Sequence, residues 1–177
     1  MSPSLDELQA AFLQLTASNP PQPSGAFEAP PAEGGQAAPP PPPPAPVQIT
    51  DAKAKGYHLD VTVAPDQVIA AAKIMDQHGF GIDAVTGVDW MAAGQMEIVY
   101  DFFHPTSPLH VVVRTRVPRD KAELPTIQEV FAGANWHERE THEFFGIKFL
   151  GHPDLSPLLL PEDATYHPLR KDFAGAA

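Results

Sequence analysis

The sequence predicts an α+β fold: a mostly antiparallel sheet with helices on one face, followed by a long irregular C-terminal tail. Three observations carry this. Four stretches between residues 57 and 116 read as strands, and the last three are joined by turns too short for a parallel crossover. Helical spacing of apolar residues appears before, between and after them. Beyond residue 150, Pro153, Pro157, Pro161 and Pro168 rule out a regular helix or central strand.

The elements follow in chain order. Residues 1–18 hold an amphipathic helix from Ser4 to Ala17, with Ser4 as N-cap and Glu7 as its capping-box partner. Leu5, Leu8, Phe12 and Leu15 lie near one face, and Asn19-Pro20 stops the helix. Residues 19–46 include six consecutive prolines at 39–44 and form a polyproline II-leaning linker unable to build a core. Extended, it would reach roughly 80 Å at about 3.1 Å per residue. A capped amphipathic helix on such a tether suits docking in a partner's groove. Deleting residues 1–46 is therefore expected to leave a folded domain.

The domain spans 47–150. Tyr57, Leu59, Val61 and Val63 alternate, giving a strand over 57–63. A helix over 66–78 turns Val68, Ile69, Ala72 and Met75 inward, and Gly79 closes it. Strands over 82–90, 95–104 and 109–116 follow, linked by turns at Ala92-Ala93-Gly94 and at Pro105 to Pro108. Thr126 opens a second helix, with Glu129 as box partner, and Gly133 interrupts it. Asn135 caps a third, with Glu138 at the matching position, and Gly146 ends it. The order is β-α-β-β-β-α-α, then a tail over 151–177.

Composition narrows the chemistry. The 177 residues include no Cys, so neither a disulfide nor a thiolate-held metal or iron–sulfur cluster can be built from this chain. A reducing, cytosolic setting fits. No run of ~18 apolar residues would cross a membrane, and MSPSLDELQAAF lacks the basic start of a secretory signal. The formal net charge of −11 argues against sequence-independent nucleic-acid binding.

The densest chemistry lies in residues 136–173, WHERETHEFFGIKFLGHPDLSPLLLPEDATYHPLRKDF. His137 and His142 are five apart and so about 140° apart around a helix; a zinc hydrolase needs its pair four apart. Arg139 and Glu143, four apart, are placed to pair on one face. Glu138 and Glu140 suit the positive end of the helix dipole. These carboxylates have no nucleophile, phosphate loop or oxyanion motif beside them, so acid–base catalysis is not expected. Trp136, Phe144, Phe145, Ile147, Phe149 and Leu150 read as packing residues. Leu158, Leu159 and Leu160 need cover, which is worth on the order of 5 kcal/mol. The domain is small, so much of the tail is expected to lie on a neighbouring protein chain.

One family matches these residues. Glu138-Arg139-Glu140, Glu143, Phe144-Phe145, Gly146-Ile147, Gly151-His152-Pro153-Asp154-Leu155 and His167-Pro168-Leu169-Arg170-Lys171-Asp172-Phe173 resemble the signature of the thirty-kilodalton subunit of respiratory complex I, in its bacterial form. Energy-converting [NiFe] hydrogenases carry a related subunit. The resemblance covers about residues 57–173. It implies a non-catalytic subunit of the hydrophilic arm, peripheral to the cytoplasmic face of the membrane and without a cofactor of its own. Its implied partners are a large subunit with a quinone site or NiFe centre and a small iron–sulfur subunit. The implied interface residues are Glu138, Arg139, Glu140, Glu143, Gly146, His152, Pro153, Asp154, Leu158, Leu159, His167, Pro168, Arg170, Lys171, Asp172 and Phe173. The family acid at 143 is often Asp. Ser156-Pro157 stand where the complex I branch commonly has basic residues, and the sequence ends at Ala177, sooner than that branch usually does. Both branches stay open on these grounds. A different class, a free-standing interaction module using the run at 39–44, leaves residues 136–173 unexplained.

Overall fold

A computed structural model describes residues 3–21 and 45–175. Its centre is a five-stranded sheet in the order β1-β2-β5-β4-β3. The last three strands form the expected antiparallel meander: β3 (Gly81–Trp90), β4 (Gln95–Phe103) and β5 (His110–Pro118). β2 (Leu59–Thr62) lies beside β5 and parallel to it, with Val61 opposite Val113. The route back from β2 runs through α3 (Val68–Gln77) and the first two meander strands, long enough for a parallel crossover.

Three short strands and a single-turn helix have no counterpart among the sequence-predicted elements. β1 (Val47–Ile49) adds antiparallel to β2, and α2 (Ala52–Lys55) follows it. β6 (Glu123–Pro125) and β7 (Lys148–Leu150) form a separate parallel pair. Three residues are too few for a periodic signal. The helix expected from Thr126 does not form. The Val130 and Phe131 amides both bond to Ile127 O, one turn only, while the Ile127 amide is drawn to the Glu138 carboxylate. Asn135 is no cap either, since the last helix, α4 (Ala134–Phe145), begins one residue before it.

The first helix, α1 (Leu5–Ser18), has its capping box in full. The Ser4 amide donates to Glu7 Oε2 at 3.0 Å, and the Glu7 amide to Ser4 Oγ at 3.2 Å. Its apolar face is covered by its own domain, which replaces the expected need for a partner. Leu8 and Phe12 are fully buried in one cluster with Val47, Leu59, Ala72 and Met75. Gln67 Nε2 donates to Leu15 O at 2.8 Å, and Asn19 Nδ2 to the Asp66 carboxylate at 3.0 Å. Most of the predicted linker, residues 22–44, lies outside the described residues.

α1, α3, α4 and the β6–β7 pair share one core with one face of the large sheet. Met96, Ile98, Tyr100 and Phe102 of β4 alternate inward with Val111, Val113 and Val117 of β5. The other face carries a ladder of paired charges. Arg114 bonds Asp60 at 3.0 Å, Arg116 bonds Glu97 at 3.0 Å, and Trp90 Nε1 donates to Glu97 at 3.0 Å.

Candidate functional site: helix α4 and the tail strapped to it

α4 is amphipathic in an unusual sense. Its inward positions are Ala134, Glu138 and Thr141, with Phe145 packed at the end, so half of the buried stripe is polar. Thr141 Oγ1 donates to Val85 O at 3.1 Å, fixing the helix on β3. Phe145 lies over Gly87, where a Cβ would come within 2.6 Å of the ring.

Each polar side chain of α4 holds a different piece of irregular chain. Glu138, fully buried, accepts from the Ile127 amide at 2.9 Å and from the Thr126 hydroxyl. Burial pushes its carboxyl up to about 7, against the two hydrogen bonds, which pull it down. Arg139 donates to Ser156 O at 3.0 and 3.1 Å, to Ser156 Oγ and to Pro157 O, and its guanidinium lies 5.5 Å from the Trp136 ring centroid. Glu143 accepts the consecutive amides of Leu158 at 2.8 Å, Leu159 at 3.0 Å and Leu160 at 3.2 Å. The expected Arg139–Glu143 ion pair is therefore not made. The tail offers Arg139 carbonyls and Glu143 amides, and both side chains turn to it.

The backbone end of α4 continues the grip. Gly146 closes the helix at φ 74°, its amide on His142 O at 2.8 Å. Its missing Cβ makes room for His167, whose Nε2 would stand 2.7 Å from one. His167 Nδ1 is 2.8 Å from Glu143 O, and the Leu169 amide donates to Phe144 O at 3.1 Å. Farther along, the Lys171 amide donates to Asp89 Oδ2 at 2.8 Å, and Arg119 bridges Asp89 and Asp172 at 2.8 and 2.6 Å. Arg119 holds both of these carboxyls below the usual carboxylate range.

Most of the predicted residues are thus brought together, and on their own chain. Glu138, Arg139, Glu143, Gly146, His152, Leu158, Leu159, His167, Lys171 and Asp172 join one network. Asp154 supports it by accepting the Ser156 amide at 2.9 Å, which lowers its carboxyl. Pro168 and Arg170 are half-buried, Glu140 and Pro153 are exposed, and Phe173 stacks on Tyr166 at 5.5 Å. Two residues read as packing are not buried: Trp136 is 59% exposed and Leu150 44%. Both face outward where α4 and β7 meet solvent. Leu159, 64% exposed, and Leu169, 54%, join them on the tail.

Sequence reasoning missed Thr126, Asp89 and Arg119 as anchors. Asp89 carried a usable signal. It stands in the inward phase of β3 after Val85 and Gly87, where a carboxylate needs a partner. Among the described residues, no group of three or more His, Asp or Glu side chains could hold a metal ion.

Residues 61–177 match the family described as respiratory-chain NADH dehydrogenase, 30 Kd subunit. The corresponding subunit of the F(420)H(2) dehydrogenase of Methanosarcina mazei is 42% identical over 93 residues, 52% of this chain and 59% of that one. Its counterpart in the NADH-quinone oxidoreductase of Moorella thermoacetica is 34% identical over 122 residues, 67% of this chain and 82% of that one. A longer subunit of the NADH-quinone oxidoreductase of Phocaeicola vulgatus matches at 40% identity, over 51% of this chain and 17% of that one. Among solved structures, a chain of the membrane-bound sulfane sulfur reductase, an archaeal respiratory membrane complex, superposes with TM-score 0.60 at 32% identity, over 65% of this chain and 71% of that one.

Proposed function

The chain belongs to the 30 kDa subunit family of respiratory-chain NADH dehydrogenase, and from that premise we propose that it is a non-catalytic scaffold in the hydrophilic arm of a membrane-associated, complex I-type oxidoreductase. It supports electron transfer coupled to proton translocation by holding the large subunit in place. The large quinone-site subunit and a small iron–sulfur subunit are its partners, and the redox centres lie in those chains. The complex sits peripherally on the cytoplasmic face of the membrane; among the described residues no helix is long and apolar enough to cross one.

The observation that carries this reading is the outward apolar set of Trp136, Leu159 and Leu169, presented on backbone that Arg139, Glu143 and Phe144 hold in place. Preorganised apolar side chains lose little entropy on docking, and this favours a permanent interface. The relatives' names add support. They cite F(420)H(2), NADH and sulfane sulfur for similar chains, which supports placing the choice of electron donor and acceptor outside this subunit. Names that include NADH-quinone oxidoreductase favour the quinone-reducing branch over the hydrogen-evolving one.

The test is purification of the tagged chain from native membranes, beside a Trp136→Glu/Leu159→Asp double variant. The wild type is expected in a large complex with NADH-oxidising or related dehydrogenase activity. The variant, folded by circular dichroism, is expected to be lost from it. A wild-type chain that migrates only as a free monomer would overturn the proposal.

A further inference from the structure

We propose that α1 is a tethered ligand of its own domain. The groove between α3 and the β1–β2 edge is a docking site for an amphipathic helix, and it takes the α1 of a second copy of this chain when its own is no longer held beside it. The seat has the form of a helix-in-groove site. Leu8, Phe12 and Thr16, four residues apart, make one buried row on α1. They face α3, β1 and β2, whose buried residues there include Val47, Leu59, Ala71, Ala72 and Met75. The two alanines leave room for a second helix against α3.

The way α1 is attached is that of a ligand. Among the described residues, no backbone–backbone hydrogen bond joins it to the rest of the chain. Its polar ties are made by side chains near its C-terminal end: Gln67 Nε2 to Leu15 O at 2.8 Å and Asn19 Nδ2 to Asp66 at 3.0 Å. At the other end, Pro3 and Glu7 stand across an open cleft of about 560 Å³ from His78 and His104. The helix also satisfies its own ends. Ser4 and Glu7 close its start, and Ser18 Oγ donates to Leu15 O at 2.7 Å. It needs an apolar groove and little else.

The body beneath α1 has a core of its own. Met96, Ile98, Tyr100 and Phe102 of β4 pack with Val111 and Val113 of β5, away from the groove. The family-matched residues, 61–177, include α3, while α1 precedes them. Residues 22–44 lie between α1 and β1. A tether of this length sets an effective concentration on the order of mM. At micromolar protein each groove therefore keeps its own α1, and a helix in trans is outcompeted. Cutting the tether removes that advantage and leaves every groove contact in place. The second copy's α1 then competes on equal terms, since it carries the same row and the same capping box.

The experiment uses the full chain with a protease site placed within residues 22–44, and a fluorescent peptide of residues 3–21 as probe. After cutting, the folded chain is expected to exchange its α1 for the peptide, read by anisotropy. The uncut chain is expected to bind the peptide at least about 100-fold more weakly. Phe12→Ala in the uncut chain weakens the tethered helix, so the wild-type peptide should regain about 100-fold or more. A peptide carrying Leu8→Asp and Phe12→Asp should bind neither chain. The proposal is overturned if the cut chain holds its α1 without exchange, or if uncut Phe12→Ala binds the peptide no better than the wild type. Loss of cooperative unfolding in either chain overturns it too, because α1 would then be part of the core and not its ligand.

Discussion

Replacing Glu143 by Ala removes one carboxylate and leaves three consecutive tail amides without an acceptor. These are Leu158 at 2.8 Å, Leu159 at 3.0 Å and Leu160 at 3.2 Å. A hydrogen bond to a charged group contributes about 1.5–3 kcal/mol where water is excluded. Leu159 is exposed, and Leu158 and Leu160 are half-buried, so water takes over much of the loss. A net cost of about 3 kcal/mol for closing the strap follows, or roughly 150-fold in the opening equilibrium. Amide hydrogen exchange reads this directly, because the three amides exchange through local opening. In Glu143→Ala they should exchange roughly 150-fold faster while the β4 amides keep their protection. Glu143→Gln, which keeps one acceptor oxygen and loses the charge, should fall near tenfold. Unchanged exchange at 158–160 would sink the reasoning, as would equal acceleration in β4, which would mean global destabilisation.

Other outcomes follow from the same contacts. Glu138 has a carboxyl raised in the folded chain from 4.5 to about 7. Stability should therefore be greatest below the unfolded value and fall as pH rises through about 7, by about 3 kcal/mol in all; urea melts across that range should show the slope in the wild type and not in Glu138→Gln. Arg139→Ala removes the guanidinium from the Ser156 and Pro157 carbonyls and from Trp136; it should weaken assembly of the complex, seen on native gels, more than it changes turnover per assembled complex. Deleting residues 1–46 strips fully buried Leu8 and Phe12 from the core. Each contributes about 1.5–3 kcal/mol against a total of about 5–15, so the thermal midpoint should drop sharply, and an unchanged midpoint would show that α1 adds little. Gly146→Ala meets both a left-handed φ of 74° and the His167 ring; a loss of about 1–3 kcal/mol is expected in denaturant melts.

Much of the fold was legible because it rests on local signals. The meander declares itself by alternation and two short turns, α1 by Ser4 and Glu7, and the end of α4 by Gly146. What was not legible depends on partners distant in sequence. The parallel β2–β5 pairing joins segments some fifty residues apart. The site shows the same division. Residues 136–173 stood out by composition, but their contacts did not. Arg139 and Glu143 are spaced for each other on a helix, and only the tail's carbonyls and amides, 15–18 residues on, decide otherwise. Glu138 read as an N-terminal surface acid, although Ala134 and Thr141 share its phase and mark it as core-facing.

The burial of α1 sets a timetable for biosynthesis. Leu8 and Phe12 leave the ribosome well before the surfaces that cover them, which include Leu59 of β2 and Met75 of α3. At about 5–20 residues per second, the apolar face of this helix waits several seconds for its site. In that interval its apolar face stays without its native cover. The strap has the opposite schedule: its anchor α4 emerges just before it, so the outward apolar set is completed late, when the core beneath it already exists.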